Sequence, residues 1–257
     1  MISASRFFIS DPLRKGPLVL QGSEFQVMVR VSRNQAGDIV TLFDGTGREA
    51  EATIKHVSRD AATLTVGKVT TVPEDPGPQL ILAVAMPSAA RFVRLIEQAV
   101  ELGVTQLIPL STARTVAPAR GFSLEKVQDS IVRASRRSGR SRLMTVEPQM
   151  SWSQFVDSKL MGAGTVAAHP GGAPLSEALA QSVDAVMTAA PPRKRKQQTP
   201  TVVAVAGPDA GFTVEEISAV VTHGARLVDL GPRALRADTA ALVMASVFMA
   251  GGIQADQ

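Results

Sequence analysis

The chain has 257 residues, 45% of them hydrophobic and 19% charged, with no cysteine and three histidines. That apolar fraction supplies a sizeable core and excludes wholesale disorder or a collagen-like chain, while the lack of cysteine excludes disulfides and thiolate metal sites. The formal net charge is only +4, from 27 basic and 23 acidic residues, so attraction for a polyanion must come from clustered charge rather than from the total.

Residues 1–72 are β-rich, with short period-two strands predicted at 25–29, 38–43, 51–54 and 63–66 and turn signals at Ala36-Gly37-Asp38 and Asp44-Gly45-Thr46-Gly47. Several short strands at close spacing predict a small barrel. The Pro- and Gly-containing stretch 73–78 is a linker by composition, and a second domain is expected over 79–257. There the pattern becomes strands alternating with helices, as in an α/β sheet. Strands are predicted at 80–85, 106–110, 164–168, 201–206 and 226–230, and helices at 89–102, 123–138, 176–182 and 239–250. Thr213-Val214-Glu215-Glu216 is a capping box that opens one more helix. Residues 189–200, rich in Pro, Lys, Arg and Gln, are expected to form a mobile basic insertion. The longest apolar stretch, 240–250, is short of the roughly 20 residues that cross a bilayer, and residues 1–11 hold no apolar secretory segment. A cytoplasmic protein with no membrane partner is expected, and the scattered histidines give no metal site.

Nine of the 27 basic residues fall in two acid-free tracts: Arg133, Arg136, Arg137, Arg140 and Arg142, then Arg193, Lys194, Arg195 and Lys196. Arg133, Arg136, Arg137 and Arg140 follow i, i+3, i+4, i+7 on one helix face. Leu124, Val127, Ile131 and Ala134 lie on or near the opposite face, so the apolar side can dock while the arginines point outward. The stripe carries no compensating acid, and a phosphate backbone would offset its self-repulsion. RNA or DNA contact is the expectation, against a merely solvated face. With one tryptophan and no tyrosine, aromatic base-stacking platforms are not expected.

Three strand ends carry glycine- or proline-containing loops: Ala168-His169-Pro170-Gly171-Gly172, Gly207-Pro208-Asp209-Ala210-Gly211-Phe212 and Leu230-Gly231-Pro232-Arg233-Ala234-Leu235-Arg236. In an open α/β sheet, ligands bind beyond the carboxyl ends of the strands. None of the three is a dinucleotide or P-loop fingerprint.

Gly207 to Phe212 resembles the GPEGGF loop, and Leu230-Gly231-Pro232-Arg233-Ala234-Leu235-Arg236-Ala237-Asp238-Thr239-Ala240 resembles the LGxRILRTETA segment, of RsmE-type 16S rRNA (uracil-N3)-methyltransferases. Arg6-Phe7-Phe8, Phe43-Asp44-Gly45 and Glu101-Leu102-Gly103-Val104 match in order and spacing, so the resemblance spans the chain. It implies a PUA-like RNA-binding β-barrel followed by an α/β domain of the SPOUT class with a trefoil knot. It further implies a homodimer that holds S-adenosylmethionine in the knot and methylates a uridine N3 in 16S rRNA of the small ribosomal subunit. Carried onto this sequence, the cofactor lies against His169, Gly207, Pro208, Gly211, Leu230, Gly231 and Leu235, and Arg6 joins the arginine stripe in binding RNA. Arg236 or Arg114 would stabilise the developing uracil anion, and Asp238 or Asp209 would take the proton. Each has a plainer role: Asp238 is also a good N-cap for the last helix, and Arg236 can pair with a carboxylate.

The departures from that family sit at motif positions. Asp209-Ala210 replaces Glu-Gly, and an alanine that had to adopt positive φ would cost about 1–2 kcal/mol. Ala237-Asp238 replaces Thr-Glu, Arg136-Arg137 replaces Glu-Gln, Ser88 and Gln98 replace lysines, and residues 28–33 lie where a histidine-led strand is usual. Two further readings therefore stand beside the methyltransferase: an RNA-binding paralogue with weak or no methyl transfer, and a methyltransferase with a different RNA target.

Overall fold

The computed structural model describes residues 5–74, 77–115, 123–189 and 199–252. The chain forms two compact units, one of residues 1–75 with Val132–Leu143, the other of residues 76–131 with 144–257. The predicted basic insertion falls largely on residues 190–198, outside the described residues.

The first unit contains β1 (Arg6–Phe8), β2 (Gly16–Gln21), α1 (Gly22–Gln26) with a π-helical turn (Val27–Val31), β3 (Ile39–Phe43), β4 (Arg48–Val57), β5 (Ala61–Val66) and β6 (Thr70–Thr71). Its six-stranded sheet has the order β1-β3-β4-β5-β2, with β6 on β4. Alternation along β5, where Ala62, Leu64 and Val66 are buried and Thr63 and Thr65 exposed, puts one face on a core with Phe7, Phe25, Met28, Leu42 and Ile54. The strand predicted at 25–29 is instead helical. Phe25 and Met28 are both buried, and their i, i+3 spacing sets a helical face that overrides the β-branched valines around them.

Asp44 closes the β3–β4 connection. Its carboxylate accepts from Thr46 N–H and Oγ1 and from Leu13 N–H, and Arg48 pairs with it at 2.7 Å. Burial opposes its ionisation, but these hydrogen bonds and the Arg48 charge prevail and hold its carboxyl below the usual range.

The second unit contains β7 (Gln79–Ala85), α2 (Ala89–Glu101), β8 (Gln106–Ser111), the start of α3 (Leu124–Ser138), β9 (Thr145–Val146), β10 (Met150–Ser151), α4 (Trp152–Val156), β11 (Thr165–Pro174), α5 (Leu175–Ala189), β12 (Thr201–Ala206), α6 (Val214–Thr222), β13 (Arg226–Asp229) and α7 (Ala237–Gly252). Its strands pair in parallel in the order β10-β8-β7-β12-β11-β13, with β9 on β8. β7 and β12 are buried along nearly their whole length, as strands covered on both faces must be. Gly103, at φ +81, ends α2 as expected. On α3, Val127, Ile131 and Ala134 are buried, but Leu124, on the same face by spacing, is the first residue of the helix and is 77% exposed. Among the described residues no helix is long and apolar enough to cross a membrane.

Candidate functional site

One of the glycine loops lies within β11 and the other two follow β12 and β13, and the three strands are neighbours in the sheet and point the same way. They therefore converge at one carboxyl end. The first loop is a break in a ladder: Ala168 and Ala173 of β11 both register on Val228, so residues 169–172 bulge out between them. Gly172 lies so close to β13 that a Cβ would sit 2.6 Å from the Leu227 carbonyl carbon and Val228 nitrogen. Asp229, at the end of β13, binds two of the loops at once. One carboxylate oxygen accepts the Gly171 N–H at 2.8 Å, and the other accepts the Gly231 N–H at 2.7 Å. Both glycines have positive φ, +78 and +103. These bonds, the Gly171 one foremost, hold the Asp229 carboxyl below its usual range.

The loop after β12 is a tight turn in which Gly211 N–H donates to Pro208 C=O at 2.7 Å. Gly211 carries the positive φ of +74; Arg33 is the only non-glycine with one among the described residues. Ala210 is therefore not in the left-handed region, and the strain expected there does not arise. At Gly207 a Cβ would lie 2.6 Å from the Phe212 ring, and that ring packs 4.8 Å from Trp152. Arg114 donates to the carbonyls of Ala210 and Phe212 at 3.0 and 3.4 Å. The Thr213–Glu216 capping box forms as predicted, and the second oxygen of Glu216 accepts the Ala113 N–H at 2.8 Å. Two side chains thus join the loop after β8 to the loop after β12.

Arg91 of α2 brings the two candidate bases together. Its guanidinium donates to Asp209 at 3.1 and 3.2 Å and to Asp238 at 3.4 Å. Asp209 also accepts the Ala237 N–H at 3.1 Å, so it caps α7 from another loop. Asp238 lies inside the first turn of α7, not at its N-cap as expected. Burial opposes ionisation of Asp209, but Ala237 N–H, Arg91 and the charge of Arg236 outweigh it and leave the carboxyl acidic. That weakens Asp209 as a base. Beside the cluster, Arg94 and Gln98 of α2 and Leu242 and Val247 of α7 line an open groove of about 440 Å³.

His169, Gly207, Pro208, Leu230, Leu235 and Asp238 are part-buried at this end of the sheet, and Arg114, Gly211, Gly231 and Arg236 are exposed there. The predicted RNA-contact residues belong to the first unit. Arg133 and Arg137 are exposed, whereas Arg136 and Arg140 are part-buried. Arg136 pairs with Glu24 of α1 at 3.1 Å, the side chains being 20% and 14% exposed, so an acid from another element balances the stripe. Arg6 is turned inward. Its guanidinium meets Glu49 and Ser141 and stacks 5.2 Å from the Phe43 ring centroid.

Sequence reasoning missed Arg91, Asp229, Glu24 and the second bond of Glu216. Only Asp229 carried a local signal, since Asp-Leu-Gly is the spacing of an Asx turn onto the N–H two residues on.

The RNA methyltransferase domain family matches residues 73–249, and the RNA methyltransferase PUA domain matches residues 20–67. Ribosomal RNA small subunit methyltransferase E of Synechocystis is 30% identical, the match covering 91% of this chain and 73% of that protein. A protein from Legionella pneumophila, described as a methyltransferase and solved with the bound cofactor SAM, superposes with a TM-score of 0.76 at 26% identity, over 97% of this chain and 98% of that one. Ribosomal RNA small subunit methyltransferase E of Neisseria gonorrhoeae shares the fold, with a TM-score of 0.75 at 23% identity over 96% and 97% of the two chains.

Proposed function

Because the chain belongs to the RNA methyltransferase domain family and carries that family's PUA domain, we propose that it methylates N3 of a uridine in small-subunit 16S rRNA, with S-adenosylmethionine as donor. The observation that carries this reading is the convergence of the bulge in β11 with the glycine-containing loops at the carboxyl ends of β12 and β13. They suit the cofactor. The backbone is bulged at 169–172, and a Cβ on Gly171, Gly211 or Gly231 would meet nothing within 4 Å. When bound, S-adenosylmethionine supplies an electrophilic methyl on a sulfonium.

What is left to the protein is position and one proton. His169, Gly207, Pro208, Gly211, Leu230, Gly231 and Leu235 hold the cofactor. Asp238 takes the N3 proton, because both oxygens of Asp209 are already engaged by Ala237 and Arg91. Arg236, exposed beside Asp209, stabilises negative charge on the uracil oxygens. Arg114, whose donors serve two carbonyls of the loop after β12, acts by positioning. Arg133 and Arg137 meet phosphates, with Arg140 at the edge of their stripe; Arg6 and Arg136 serve the fold of the unit that carries them.

The same reading includes a trefoil knot, a homodimer and a cytoplasmic site of action on the ribosomal subunit. The knot is supported by β13 lying outside β11 although β12 precedes it in sequence. The dimer is supported by the part-apolar groove along α2 and α7. An inactive RNA-binding relative loses its main motive once Ala210 is free of left-handed strain.

Calorimetry with S-adenosylhomocysteine and mass spectrometry of 16S rRNA test the reading. Micromolar binding, together with 3-methyluridine that appears when purified small subunits from a deletion strain are treated with enzyme and donor, is expected. No binding at near-millimolar ligand would refute it.

A further inference from the structure

We propose that Asp229 is a positioning residue for cofactor binding, clamping the 169–172 bulge to the loop after β13 through its two carboxylate oxygens. The proposal rests on the methyltransferase reading and adds to it a residue with no part in the chemistry. Three features support it.

First, the two bonded glycines belong to different loops, Gly171 lying 58 positions before Asp229 and Gly231 two after it. An Asx turn onto Gly231 alone would finish β13. The bond to Gly171 does nothing for β13; its effect is on the neighbouring loop. Second, the bulge lacks other support from the ladder, because the β11–β13 register runs up to Ala168 and resumes only at Ala173. Gly172 is wedged against β13, but Gly171, at positive φ with open space around it, owes its placement to the carboxylate. Third, the clamp is itself well anchored: Asp229 is in register with Pro174 on β11. Its carboxyl is kept ionised by the bonds it accepts, so both oxygens remain acceptors at neutral pH.

The consequence is preorganisation. A bulge that samples other conformations presents a binding-competent surface only part of the time, and apparent affinity falls by that fraction. If the clamp keeps the two loops in one arrangement, its loss weakens cofactor binding while leaving the β-sheet intact.

The test compares Asp229→Ala, Asp229→Asn and Asp229→Glu with the unsubstituted protein. It measures S-adenosylhomocysteine affinity by calorimetry, amide exchange at Gly171 and Gly231, and melting temperature. Asn keeps one oxygen for the Gly231 N–H but turns its NH2 towards Gly171, so only Gly171 should lose protection; Ala should release both. Affinity should fall about tenfold or more in both variants, with melting temperature nearly unchanged, and Asp229→Glu should recover part of it. Affinity within twofold of the unsubstituted protein in the Ala and Asn variants, or unchanged Gly171 protection in either, would overturn the proposal. If the unsubstituted protein bound no S-adenosylhomocysteine, the cofactor reading and this role would fall together, while amide exchange would still report whether the clamp exists.

Discussion

Removing Arg136 should cost the protein stability and leave its affinity for RNA nearly untouched. Arg136 Nη1 lies 3.1 and 3.3 Å from the two oxygens of Glu24, and Glu24 also accepts the Phe8 N–H at 3.0 Å. At an effective dielectric near 20, two charges about 4 Å apart attract by about 4 kcal/mol. Desolvation of side chains only 20% and 14% exposed, together with their ordering, takes back most of that. A coupling of about 1–2 kcal/mol remains, between the values typical of exposed and buried pairs. Arg136→Ala should therefore cost about 2 kcal/mol. Glu24→Ala should cost roughly 2–3 kcal/mol, because it strips an acceptor from Phe8 as well. The double variant should lose less than the sum of the two by the coupling energy. Urea denaturation of the four proteins gives the cycle, and anisotropy with a small-subunit rRNA fragment at several salt concentrations gives the RNA term. Arg133→Ala and Arg137→Ala should each lower the salt slope by about one, while Arg136→Ala leaves it unchanged. A coupling below about 0.3 kcal/mol, with a salt slope that falls in Arg136→Ala, would show that this arginine serves RNA and not the fold.

Three further outcomes follow from the same structure. Asp44 has a folded pKa below its ordinary 3.8, so its contribution is complete above the unfolded value and is lost as pH falls below about 4 through the folded one. Asp44→Asn should cost roughly 2–3 kcal/mol at pH 7 and flatten the acid limb of stability against pH; an acid limb as steep as before would contradict this. Gly207→Ala would drive a methyl into the Phe212 ring, at about 1–3 kcal/mol, and should shift the emission of Trp152, the only tryptophan in the chain; an unmoved spectrum would mean the ring does not give way. Arg91→Met should leave Asp209 and Asp238 without their shared cation and lower kcat/KM on small subunits by roughly tenfold, a loss of about 1.4 kcal/mol of transition-state stabilisation, with Arg91→Lys intermediate. Equal activity in all three proteins would remove Arg91 from the site.

The architecture was legible where burial leaves a periodic trace. β7 and β12 are apolar runs because both faces are covered, and β5 alternates because one face is wet. Gly103 and the Thr213 capping box marked helix ends because backbone conformation and unpaired N–H groups demand particular residues there. β2 has no clear signal in the sequence because it opens with Gly16-Pro17, a pair that the structure tolerates at a sheet edge. Residues 25–29 carry a strand signal because valines favour strands in isolation, whereas the burial of Phe25 and Met28 is a tertiary fact that local propensity does not contain.

The site was legible as three loops but not as one machine. What joins the loops is a set of acids that accept N–H groups far away in sequence: Asp209 from Ala237, 28 positions on, Asp229 from Gly171, 58 away, and Glu216 from Ala113, 103 away. Arg91 reaches Asp209 across 118 positions. Bonds from a side chain to a distant backbone group leave no periodicity and no composition bias, so a single sequence cannot announce them. They also limit the chemistry. Asp209, Asp229 and Glu216 are each held by two or more bonds, which spends them on geometry. Among the described residues Asp238 is bound only by Arg91, at 3.4 Å, and its carboxylate is the least committed of this cluster. A methyl transfer that needs one proton removed and little else matches a site in which three acids, Asp209, Asp229 and Glu216, hold loops in place.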